Sequence, residues 1–114
     1  MARILAFVPD LLFGSNVVEA LRAAGHEPLL VSDVEAVRRE APGADALVVD
    51  LTADASERIE GVTGAQTGLP ALAFYSHVEV DVREHAQQAG FDLVVPRSRM
   101  AREGPALVER LLNG

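Results

Sequence analysis

Six side chains capable of chemistry stand where apolar runs of this chain give out: Asp10, Asp50, Ser76, His77, Arg97 and Ser98. Asp50 is the most conspicuous, because Ala46-Leu47-Val48-Val49 ends abruptly in its carboxylate. A carboxylate so placed can act as a nucleophile toward a phosphoryl donor. Asp10 and Asp50 together can offer oxygen ligands to a divalent cation such as magnesium. Arg97 can balance the charge of a phosphoryl group or pair directly with Asp50. Each residue also has a plainer role. Asp10 can cap a helix, Ser76 and Ser98 suit turns and caps, His77 fits a strand-end loop, and Arg97 fits a structural ion pair. A serine hydrolase is disfavoured, since no Gly-x-Ser-x-Gly elbow is present. A small anionic metabolite or nucleotide is a further candidate ligand for the same groups. Gly14 stands alone after the first apolar run, however, without a phosphate-binding glycine motif.

These groups are useful only if the fold brings them together. Residues 3–8 form an apolar run that ends at Pro9-Asp10 and predicts a first buried strand. Leu12, Val17, Val18, Leu21 and Ala24 then follow a helical spacing that stops at Gly25, with Asp10 or Ser15 as its cap. Leu29-Leu30-Val31 predicts a short second strand, and Ser32 with Glu35 a capping box for a helix ending at Pro42-Gly43. Residues 46–50 are the central strand, a continuous apolar run of the kind covered on both faces. Between Ala53 and Gly68, Ile59 and Val62 can face a core, while Gly61, Gly64 and Gly68 weaken any long helix. Ala71 to Tyr75 reads as a fourth strand and Leu93 to Val95 as a fifth. Asp81 and Glu84 predict a capping box for the helix between them, and Pro105 the start of the last helix.

Strands alternating with helices predict an α/β fold: one doubly wound, five-stranded parallel sheet in a single domain over 1–114. The expected order is 2-1-3-4-5, and in such a sheet every C-terminal strand end opens on the same rim. Composition narrows the function. A net charge of −7 with no basic block argues against nucleic acid and anionic membranes as partners. The absence of cysteine removes disulfides and thiolate metal sites. No run approaches membrane-spanning length, and no signal-peptide pattern follows Met1, so a cytoplasmic location is expected.

Several stretches resemble response-regulator receiver domains, a flavodoxin-like family. They are Arg3-Ile4-Leu5-Ala6-Phe7, Ala20 to His26, Ala44 to Leu51, Leu69 to Leu72 and Ala89 to Val95. The resemblance implies that Asp50 holds the place of the residue phosphorylated by a histidine kinase. It also implies an acidic pair after the first strand that holds magnesium, but Val8 and Pro9 stand there, with Asp10 alongside. The hydroxyl residue ending strand four falls on Tyr75, with Ser76 one place later, and Pro96-Arg97 replaces the usual Lys-Pro. The chain also resembles small stand-alone receiver-like proteins with no assigned activity. The shared stretches are Leu11 to Ser15, Ser76 to Val78 and Pro96 to Ser98. The resulting expectation is an atypical receiver-like signalling domain, not an enzyme and with no cofactor. It would act through a protein partner, a histidine kinase or a second copy of the chain, without conventional phosphorylation. The alternative is a phosphoaccepting response regulator that uses Asp50 and magnesium. No DNA-binding extension is visible in the sequence, so control of transcription would need another chain.

Overall fold

The computed structural model describes residues 1–114. Its elements are β1 (Arg3–Phe7), α1 (Leu11–Ala23), β2 (Glu27–Val31), α2 (Val34–Glu40), β3 (Ala46–Asp50), α3 (Ala55–Ala65), β4 (Ala71–Tyr75), α4 (Val80–Gln88), β5 (Leu93–Pro96) and α5 (Arg97–Asn113). All strand pairs are parallel, in the order β2-β1-β3-β4-β5, as the alternation predicts. Every residue of β3 is buried, which explains why its sequence is a run and not an alternation. The period-2 geometry of strands then divides the core in two. Ile4, Ala6, Val8, Val48 and Phe74 pack under α1 and α5, whereas Leu5, Phe7, Leu47, Val49 and Ala73 pack under α2, α3 and α4.

The helix starts depend on local acids. Asp10 rather than Ser15 caps α1, accepting from the Phe13 amide at 3.0 Å. At α2 the expected Ser32 box does not form. Asp33 is the cap instead, its extended backbone letting the carboxylate accept from the Ala36 amide at 2.8 Å. The Asp81–Glu84 box is likewise absent. α4 starts two residues earlier, behind Glu79, and Asp81 lies inside the first turn, where its charge meets the helix dipole. β2 starts at Glu27, because Pro28 is tolerated on an edge strand. Buried His26 accepts from the Ala2 amide through Nδ1 and faces Glu109 at 2.6 Å through Nε2, without good hydrogen-bond alignment. It links the start of the chain to α5.

α5 begins at Arg97, not near Pro105, so Ser98 and Met100 are helical. The helix breaks at Glu103 (φ −127°, ψ 15°), immediately before Gly104-Pro105. Pro105 therefore still occupies a first-turn position, but of the second half of a kinked helix, where its missing N–H is tolerable.

The expected weakness of residues 53–68 also has an explanation. α3 forms across Gly61 because Ile59 and Val62 are buried and Gly61 lets α3 pass against α2. A Cβ at Gly61 would lie 2.5 Å from Val34 Cγ2. Alanine should favour the helix by about 1 kcal/mol, but forcing α2 and α3 apart costs roughly 1–3 kcal/mol. Gly61→Ala is expected to lower the urea midpoint despite its better helix propensity. A raised midpoint would show that the two helices separate at no cost.

Candidate functional site

Parallel pairing brings the ends of β1, β3, β4 and β5 to one rim, with Asp50 beside Phe74 and Tyr75 beside Pro96. Asp50 lies at the floor of this rim, only 2% exposed. A carboxylate so buried needs donors or a cation, since an isolated ion in that environment is strongly unfavourable. Asp50 has both. Its Oδ1 accepts from the Thr52 amide at 2.8 Å and from the Thr52 hydroxyl. Its Oδ2 lies 3.6 Å from Arg58 Nη1, and the same nitrogen donates to the Asp50 carbonyl at 2.9 Å.

Arg58 reaches the rim from the first turns of α3. Asp54, with left-handed φ of 49°, turns the chain into that helix and itself lies 3.8 Å from Arg58 Nη2. The guanidinium sits 5.8 Å from the Phe7 ring centroid, a cation–π distance. Sequence reading did not single out Arg58. The available signal was a lone arginine eight residues beyond Asp50, one helical turn past Asp54 in a segment that three glycines made doubtful.

Arg97 does not pair with Asp50. It lies 3.8 Å from Asp10 Oδ2, and its guanidinium stacks 4.4 Å from the Phe13 ring, which in turn lies 5.0 Å from Phe74. The reason is its placement. α5 packs beside α1, so the first residue of α5 meets the N-terminal cap of α1. Both partners are about half exposed, which makes this a weak pair. Ser76 is half-buried, and its carbonyl accepts from the Glu79 amide at 2.8 Å. His77 is exposed, and Ser98 is exposed within the first turn of α5. The rim thus brings together Asp10 with Arg97 and Asp50 with Arg58, while Ser76, His77 and Ser98 enter neither pair. A further feature of this end is apolar. Leu11, Leu12, Val78 and Val80, at the starts of α1 and α4, are all exposed.

The two arginines should differ sharply in their effect on stability. Arg58→Ala would leave Asp50 buried beside Thr52 alone, and breaking a buried pair costs about 3 kcal/mol. Arg97→Ala removes a screened pair and one ring contact, at a cost of roughly 1 kcal/mol or less. Chemical denaturation of the two variants checks the order, and equal losses would contradict it.

No family model matches the chain, and no curated protein matches it. Solved structures do. The receiver domain of Francisella response regulator 1452 superposes with a TM-score of 0.83 at 12% identity, over 99% of this chain and 98% of that one. NtrX from Brucella abortus, solved in complex with ADP, matches with a TM-score of 0.83 at 18% identity, over 98% of this chain but 26% of that chain. The non-phosphorylated HemR receiver domain of Leptospira biflexa matches with a TM-score of 0.80 at 18% identity, over 100% of this chain and 96% of that one. The chain therefore spans a minor part of NtrX and nearly all of the isolated receiver domains. What is common to all three is architecture: this chain has the five-stranded parallel fold of response-regulator receiver domains.

Proposed function

We propose that this chain is a non-enzymatic, receiver-type signalling module that acts through protein contact, with Asp50 kept in an internal ion pair. The observation that carries this reading is the engagement of both Asp50 oxygens from within the chain, Oδ1 by Thr52 and Oδ2 by Arg58. A carboxylate held in this way is a poor nucleophile, because attack on phosphorus requires a free lone pair and a path to it. Exposed Leu11, Leu12, Val78 and Val80 at the same end supply apolar area for a protein partner, either a histidine kinase or a second copy of the chain. The net charge of −7 argues against nucleic acid in that role. No helix is long and apolar enough to cross a membrane.

A second reading makes Asp50 a phosphoacceptor. The comparisons favour this one, since matched structures are named as a response regulator or as receiver domains and Asp50 keeps a carboxylate at the end of β3. In that reading Asp50 Oδ2 attacks phosphorus, an acyl phosphate forms, and the donor's leaving group departs with its electron pair. Arg58, at 3.6 Å, would have to swing away or shift onto the phosphoryl oxygens. Binding of an anionic metabolite or nucleotide draws less support, because Arg58 and Arg97 each already face a carboxylate.

Incubation with acetyl phosphate and magnesium, followed by intact-mass measurement, separates the first two readings. We expect no change in mass, and no change in melting temperature on adding beryllofluoride with magnesium. A gain of one phosphoryl group that Asp50→Asn abolishes would establish the second reading in place of the first.

A further inference from the structure

The resemblance to receivers implies a divalent cation beside Asp50, and the groups around Asp50 do not suit one. Val8 is buried in the core under α1 and α5, and Pro9 has no side-chain donor, so the two positions after β1 supply no ligand. Asp10 is engaged as the cap of α1 and faces Arg97. No three His, Asp or Glu side chains converge anywhere in the chain. Hard cations of this kind require several oxygen ligands at about 2.0–2.6 Å.

The space beside Asp50 Oδ2 already has a positive charge. Arg58 Nη1 is shared between the Asp50 carbonyl and Oδ2, Nη2 faces Asp54, and the guanidinium carbon lies 5.8 Å from the Phe7 ring centroid. With its side chain only 14% exposed, it is not a surface arginine passing by. We propose that Arg58 is the resident counter-ion of Asp50 and that it excludes divalent cations from the rim. A cation approaching Oδ2 would sit within a few ångströms of the guanidinium and be repelled. An arginine delivered by its own helix also needs no free ion to be captured, so neutralisation of Asp50 does not depend on magnesium concentration. The inference deepens the reading of an internally paired Asp50 and rests on it.

The test uses manganese as the probe and NMR line broadening as the readout, with the whole chain throughout. In wild type, the amide signals of Asp50, Leu51 and Thr52 should stay sharp. In Arg58→Gln the same signals should broaden selectively, with affinity raised at least about tenfold by loss of the neighbouring positive charge. The added change Asp50→Asn should abolish this broadening, and Arg58→Lys should resemble wild type. Selective broadening in wild type would overturn the proposal, as would an Arg58→Gln protein that gains none. Thermal unfolding gives a second measure should Arg58→Gln be too unstable for NMR at ambient temperature. Melting temperatures of Asp50→Asn, Arg58→Gln and the double variant should be coupled, the double losing fewer degrees than the sum. Additive losses would overturn the proposal. A wild type that gains a phosphoryl group yet binds no manganese would defeat the functional reading and leave Arg58 as counter-ion.

Discussion

The constraint on which this structure turns is a carboxylate at the end of a strand that is buried on both faces. β3 can be apolar up to Asp50 only because helices cover it from both sides, and that covering also denies Asp50 water. An acid in such a position must be satisfied by the chain itself. Thr52 meets one oxygen from the next turn of backbone, and Arg58 meets the other from α3. The need reaches into the backbone. Asp54 adopts a left-handed conformation that a non-glycine residue seldom takes, and from it α3 starts at the point that carries Arg58 back over the rim. The start of α3, the polarity of the loop before it and the state of Asp50 form one arrangement.

Charges at the rim are therefore sorted into two separate pairs on different sides of the sheet. Asp10 and Arg97 join the starts of α1 and α5, where water screens them. Asp50 and Arg58 belong to the β3–α3 side, where water is largely excluded. The difference has physical weight, because exposed pairs exchange readily with solvent ions and a buried pair leaves an uncompensated charge when broken. Asp10 and Asp50 thus face different arginines, one pair open to water and the other enclosed.

Much of this was legible in the sequence, and what was not had local causes. The bounds of β3 and β4 follow from apolar runs ended by polar or turn residues, and the sheet order follows from the alternation of strands and helices. Those signals depend on many residues at once. The errors fall where one side chain decides among neighbours. Ser32 and Asp33 are both good caps, and the extended backbone at Asp33 makes the choice. The start of α5 was obscured because Pro105 does begin a helical segment, although Met100, buried on the first half of α5, shows that the helix is already packed before it. Arg58 was illegible for a related reason. Gly61 and Gly64 weakened the helix reading of its segment, and without α3 nothing placed its side chain near Asp50. Gly61 is needed there for the close passage of α3 against Val34, a tertiary requirement that outweighs propensity.

The pairing of charges also determines what the rim has left to offer another molecule. The two guanidiniums nearest the strand ends face carboxylates of the same chain, so a ligand attracted by charge would first have to displace one of them. Apart from Ser76, His77 and Ser98, the groups that carry no such obligation are apolar. Leu11 and Leu12 open α1, and Val78 and Val80 flank the start of α4, all of them turned to solvent where burial would be favourable. An end whose charges are neutralised internally and whose apolar side chains are left uncovered is better suited to a protein surface than to a small anion. The same pairing that neutralises Asp50 and Asp10 thus leaves uncovered apolar area as the chief feature of this end.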